Sequence, residues 1–232
     1  MILLKRLSTT ILLLTLLLSD YVAQGQESMF NSPDYKKIEA QIADTASKFY
    51  YPRLMDRYEY ADNKMSLEEK RCLYYGYTLH KNYAPYKQSK YLDSLYKLPK
   101  QQNYSKKMLN KILLYADSAL AKDPFDLTAL LYQEKIYRQL HRPRKSYICG
   151  FRIKLIQEVL MSSGNGQSKE NAIHVISVPH EYDFMRLMGL RVTGKKNSQD
   201  QPFDYLYVAP NDIDAEGFYF NVSVFKKLLY RK

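Results

Sequence analysis

The chain has 232 residues, with 35 Lys and Arg against 24 Asp and Glu, and a formal charge of +11. That length can bury a core as one large domain or two small ones. The charge favours acidic partners such as an acidic protein segment or an anionic envelope ligand. Two cysteines permit one disulfide at most, and four scattered histidines show no pairing at zinc-ligand spacing, so no metal or cofactor is expected.

In chain order, Lys5 and Arg6 precede an apolar run from Leu7 to Leu18, and small and polar residues follow to Ala23-Gln24-Gly25. A charged start, a short apolar run and a small-x-small site make residues 1–25 a secretory signal peptide. The run is shorter than the roughly 20 apolar residues of an easy membrane span. No cysteine follows it to carry a lipid. The expected product is exported, periplasmic or secreted, soluble after cleavage near Gly25, and without a transmembrane segment.

Residues 26–161 are expected to be helical. Ser32 reads as an N-cap with Pro33 in the first turn. Tyr35, Ile38, Ile42 and Phe49 make one stripe, Pro52 stops the helix, and 53–65 read as loop. Ser66-Leu67-Glu68-Glu69 is a capping box opening a helix through Cys72, Leu73, Tyr74 and Tyr77. Gly76 inside it costs about 1 kcal/mol against Ala, which implies a closely packed neighbour. A short helix is expected near 88–97 and a longer one over 104–122, with Met108, Ile112, Ala116 and Ala119 on one face. Asp123-Pro124 and Arg142-Pro143 open two more, the last ending near Met161. Short connections predict antiparallel hairpins.

Ser162-Ser163-Gly164-Asn165-Gly166-Gln167-Ser168 reads as a linker, placing a boundary at 162–171 before a small domain over 172–232. There, 172–178, 203–208 and 217–225 read as strands, 180–188 as a short helix and 190–202 as a basic loop. The fold class is α+β: helical hairpins, then a small sheet of about three strands with one short helix.

Three groups are candidates for function. His180, Glu181 and Asp183 follow a strand, where acid–base groups often gather, although carboxylates in a first turn also suit the helix dipole. Lys135, Arg138, Arg142, Arg144, Lys145, Arg152 and Lys154 stand together with no acid among residues 135–154. Of these, Arg138, Arg142, Arg144 and Lys145 are candidates to grip an anionic ligand. Tyr74, Tyr75 and Tyr77 belong to a chain with 23 Tyr and no Trp, and they serve as groove or packing residues. An oxidising compartment would permit a Cys72–Cys149 disulfide, whereas buried free thiols are the alternative. No Gly-x-Ser-x-Gly and no phosphate-cradling glycine loop occurs, and no specific nucleic-acid binding is expected.

Ala119-Leu120-Ala121-Lys122-Asp123-Pro124 resembles the close of a tetratricopeptide repeat, and Leu73-Tyr74-Tyr75-Gly76-Tyr77 resembles an earlier first helix of one. At most two degenerate repeats are implied. The whole mature chain also resembles an uncharacterised family of exported bacterial proteins, classed as a domain of unknown function. That resemblance rests on Tyr51-Pro52-Arg53-Leu54-Met55, Leu73-Tyr74-Tyr75-Gly76-Tyr77, Ser168-Lys169-Glu170-Asn171-Ala172, Phe203-Asp204-Tyr205-Leu206 and Gly217-Phe218-Tyr219-Phe220-Asn221-Val222. It implies compartment and layout, and no chemistry. The expected function is a non-catalytic protein- or ligand-binding module of the bacterial envelope. The alternatives are an envelope hydrolase with its site near His180, and a structural envelope component. Oligomeric state is left open.

Overall fold

Proline placement decides how the chain begins. In the computed structural model, which describes residues 30–86, 90–98, 104–197 and 202–229, helix α1 spans Tyr35–Ala43 and α2 spans Tyr51–Glu59. The expected signal peptide and its cleavage site lie outside the described residues. Asp34, not Ser32, caps α1 by accepting from Lys37 N at 3.1 Å. Pro52 sits in the first turn of α2, so it opens a helix where the sequence reading closed one. A first-turn residue needs no N–H partner, and the fixed φ of proline suits that position. The stretch read as loop from 53 is therefore helical to Glu59.

The capping box forms as expected. Ser66 Oγ accepts from Glu69 N, Glu69 Oε2 accepts from Ser66 N at 2.7 Å, and helix α3 runs Leu67–Gly76. Arg57 binds both Asp62 and Glu69, which ties α2 to this cap. A Cβ at Gly76 would stand 3.0 Å from the Ile42 side chain, so the absent side chain is what lets α1 approach α3. A 3-10 turn, Tyr77–Leu79, follows.

Four helices then pack in chain order: α4 (Lys90–Tyr96), α5 (Lys106–Leu120), α6 (Leu127–Gln139) and α7 (Pro143–Ser163). Ser105 and Asp126 cap α5 and α6. Leu95, Ile112, Ala116, Ile136 and Cys149 form one buried cluster among these helices. A second cluster gathers Leu54, Leu73, Phe125, Ile156 and Leu160 with Ile173, Phe184, Leu206 and Phe220. Helix α7 contributes to both. Cys72 belongs to one cluster and Cys149 to the other, and both are free, so the disulfide allowed by the sequence is not made. Each thiol lies 3.4 Å from a glutamine Oε1, Gln41 and Gln133 respectively, and burial pushes both up to about 11.

The second cluster runs across residues 162–171, and Ser32–Lys232 forms one compact unit. The connecting segment is itself hydrogen-bonded. Gly166 N donates to Asn171 O, Tyr219 N donates to Gly166 O (both 2.8 Å), and His174 N donates to Ser163 Oγ at 2.9 Å.

The sheet has four strands, not three, in the order β1-β4-β3-β2. The strands are β1 (Ile173–His174), β2 (Val192–Asn197), β3 (Phe203–Val208) and β4 (Gly217–Asn221). β1 is parallel to β4, and the other two pairs are antiparallel. β2 comes from the stretch read as a basic loop. As an edge strand it needs no full apolar face, and its Lys195 turns inward to meet carboxylates (below). Helix α8 spans Val178–Leu187, and a second helix, α9 (Ser223–Leu229), replaces the expected end of the last strand. Asn221 Oδ1 accepts from Ser223 N at 3.0 Å at that switch.

Two glycines should respond in opposite directions. A Cβ at Gly217 would run into the Leu206 carbonyl oxygen and the Tyr205 ring, whereas one at Gly150, inside α7, meets nothing within 4 Å. Gly217→Ala is expected to cost at least about 2 kcal/mol, as overpacking against backbone does. Gly150→Ala should gain up to about 1 kcal/mol from helix propensity. Urea unfolding of both variants checks the pair, and equal effects would contradict the packing described.

Candidate functional site

The turn between α5 and α6, Lys122-Asp123-Pro124-Phe125, exposes carbonyls that no helix satisfies. Three side chains from three elements satisfy them. Tyr77 OH donates to Lys122 O at 2.9 Å, Tyr58 OH to Pro124 O at 2.9 Å, and His180 Nε2 to Phe125 O at 3.0 Å. Because a carbonyl only accepts, Nε2 carries the proton, and Nδ1 accepts from Tyr74 OH at 2.7 Å. Burial pushes His180 down to about 4, with the Phe125 carbonyl opposing the shift. The ring is neutral at physiological pH and both its nitrogens are engaged.

This clamp holds one wall of a cleft of about 480 Å³. Tyr77, Tyr83, Pro85 and Leu92 supply apolar and aromatic surface, and Ser177 and Pro179 bring in the start of α8. Asp123, Asp126 and Asp183 line the same space. Asp123 Oδ1 accepts from Phe125 N at 3.0 Å, and Asp126 Oδ1 accepts from Ala129 N at 2.7 Å as the α6 cap. Asp183 accepts from Thr128 Oγ1 at 3.1 Å and from Arg186 at 2.7 Å. Desolvation raises all three. Asp123 reaches about 6 against one opposing backbone hydrogen bond, and Asp126 about 7 with Asp123 and Asp183 adding to the shift. Among the described residues no group of three or more His, Cys, Asp or Glu is arranged to hold a metal ion. Lys81 and Lys122 line the cleft as well, so it is a partly apolar seat with an acidic floor and two lysines at its walls.

The family described as Domain of unknown function (DUF4919) matches residues 36–231. The chain belongs to that family. No curated protein and no solved structure matches it. Among the described residues, no helix is long and apolar enough to cross a membrane.

Within this member of the family, the residues singled out from sequence scatter. His180 and Asp183 reach the cleft, but Glu181 points the other way. It is fully buried against the inner face of the sheet, where Lys195 Nζ lies 3.0 Å from Glu181 Oε2 and 2.8 Å from Asp204 Oδ2, and Lys226 Nζ lies 3.1 Å from Asp204 Oδ1. Burial raises Glu181 to about 7 against the pull of Lys195. The three residues therefore do not form one constellation. Tyr74 and Tyr75 are fully buried, and only Tyr77 of the three lines the cleft. The basic turn lies between α6 and α7. Arg138 pairs with Glu134, Lys145 Nζ sits 5.3 Å above the Tyr137 ring, and Arg142 and Arg144 are exposed. The residues that sequence reasoning missed are Asp123, Asp126 and Tyr83. Asp123 carried a signal with Pro124 as a helix break and start, whereas Asp126 and Tyr83 carried no reading of their own.

Titration tests the floor of the cleft. Asp126 moves from an ordinary 3.8 to about 7 in the fold. The folded state therefore keeps this proton to higher pH than the unfolded chain, and the group's contribution falls as pH rises from about 4 to about 7. His180 acts in the opposite sense in the same window. Its folded value near 4 lies below the ordinary 6.5, so its contribution is complete above about 6.5 and is lost as pH falls. Asp126→Asn keeps an N-cap oxygen and removes the ionisation. The variant is expected to gain on wild type as pH rises, by on the order of 2 kcal/mol at pH 8, at about 1.4 kcal/mol per pKa unit and discounted for coupling. Urea unfolding between pH 4.5 and pH 8 measures it, and a pH-independent difference would contradict the assignment.

Proposed function

We propose that this protein is an exported, non-catalytic binding module whose ligand seat is the cleft between the α5–α6 turn, the Tyr83 segment and the start of α8. Export rests on the leader pattern of residues 1–25. The binding reading rests on one observation above all. The cleft is walled by rings and carboxyls, and its imidazole has both nitrogens committed to Tyr74 and Phe125. Ser177 lines the cleft too, but His180 has no nitrogen left to activate it, and a nucleophile needs such a base. A volume of this size and mixed lining is typical of small-ligand sites. The exposed Arg142 and Arg144 add long-range attraction for acidic partners at a separate surface.

Ala121 is exposed and lines the cleft, so Ala121→Trp fills its mouth without disturbing the core. A ligand-observed NMR screen of neutral, cationic and anionic fragments is expected to give hits on the wild type that Ala121→Trp loses by at least about tenfold. Hits indifferent to that substitution, or turnover of a hydrolysable substrate that depends on Asp126, would overturn the reading.

A further inference from the structure

Asp126 is only 7% exposed, yet its carboxylate meets just one protein hydrogen bond, from Ala129 N to Oδ1. Asp123 is held in the same way, by Phe125 N on Oδ1. Among the described residues neither carboxyl has an ion pair, and neither Oδ2 has a protein partner. Asp183 differs, because Arg186 neutralises it. Lys81 and Lys122 also line the cleft, but among the described residues neither makes an ion pair with these carboxyls, and Lys122 Nζ sits 5.3 Å above the Tyr91 ring. Burying a carboxyl without a counter-charge is costly, and this chain has 35 basic residues from which to supply one.

We propose that the cleft seats a primary alkylammonium group, its charge on the Oδ2 atoms of Asp123 and Asp126 and its stem along Tyr77, Tyr83 and Leu92. This rests on the cleft being the ligand seat. The chemistry favours an ammonium over the other cations. A guanidinium fork binds best to both oxygens of one carboxylate, and here each carboxylate has one oxygen already committed to the backbone. An ammonium is a compact charge with three donors and can bridge single oxygens of two neighbours. A metal ion would require a convergent ligand set, which the described residues lack. Tyr77 and Tyr83 line the cleft and give an aliphatic stem an aromatic wall.

Such a group comes either from a free amine or from a lysine side chain of a peptide. Isothermal titration with 1,5-diaminopentane, with Nα-acetyl-lysine-N-methylamide and with 1-pentanol separates them. At least one of the two amines is expected to bind, and the one that does identifies the source. Pentanol should bind at least tenfold more weakly. Asp126→Asn, which keeps the helix cap, should weaken the amine at least tenfold, and Asp123→Asn gives an independent second reading. Pentanol binding as well as the amines, or amine binding unchanged in both variants, would overturn the ammonium assignment. So would absence of binding by both amines. In each of these cases, neutral or anionic fragments lost from Ala121→Trp would still support the cleft as the seat, so the two claims fail separately.

Discussion

Three carbonyls of the four-residue turn between α5 and α6 hold the architecture together. Lys122, Pro124 and Phe125 each present a C=O that receives a side-chain donor, from Tyr77, Tyr58 and His180. An unpaired buried carbonyl costs on the order of 1–3 kcal/mol, so the three bonds make the turn's position obligatory. The donors come from α2, from the 3-10 turn after α3 and from α8, and together they fix the α5–α6 hairpin against both the N-terminal helices and the sheet. Packing follows the same centre. The Phe125 ring lies 5.2, 5.6 and 5.3 Å from the rings of Tyr58, Tyr74 and Tyr77. Only a neutral His180 can accept from Tyr74 while donating to Phe125, and its burial keeps it neutral. The walls of the cleft inherit their rigidity from this arrangement.

The same logic explains the tyrosine content. Tyr75 donates to His174 O, Tyr83 to Ile176 O, Tyr86 to Phe225 O and Tyr132 to Leu95 O, at 2.5–3.2 Å. Of the accepting residues, His174 ends a strand, Ile176 lies in a connection, Leu95 is next to the end of its helix and Phe225 lies in the first turn of α9. Phenylalanine would fill these sites without satisfying the carbonyl. Tyrosine brings an apolar ring into the core and delivers its hydroxyl at the far end. A fold with several long connections over one core has many such carbonyls, and a residue serving both needs recurs. The tyrosines are thus mostly a consequence of the topology, and among the described residues only Tyr77 and Tyr83 also line the cleft.

Much of the local chemistry was readable in the sequence, although at the first helix the cap is Asp34 and not the expected Ser32. The capping box at Ser66 and Glu69, the helix start at Pro143 and the close approach implied by Gly76 all follow from steric and hydrogen-bonding rules that need no tertiary context. Pro52 shows the limit of such rules. Proline ends one helix or begins the next, and only the half-buried face of Tyr51–Glu59 decides which. β2 was illegible for a different reason. Its lysines and glycine mask the strand pattern, and its inward Lys195 makes sense only opposite Glu181 and Asp204, which come from α8 and β3. The cleft was hidden because its walls come from segments about 100 residues apart, so nothing near Asp126 in the chain marks it as part of a site.

Two treatments of buried charge stand side by side in this molecule. On the inner face of the sheet, Glu181, Lys195, Asp204 and Lys226 alternate in sign and bond to one another. That cluster is internally compensated, which is how a folded chain tolerates ionised groups away from water. It joins α8, α9, β2 and β3, and its worth lies in fixing their register. At the cleft, Asp123 and Asp126 receive backbone N–H groups and, among the described residues, no ion pair. Both environments border α8, so proximity to basic residues does not explain the contrast. The difference is access. The carboxylates of the sheet cluster are shut in, with Glu181 at 0% and Asp204 at 4% exposure, and only its lysines reach towards solvent, whereas the Asp123 and Asp126 carboxyls open onto a cavity. A closed site must carry its own counter-charge, and an open one can take it from outside.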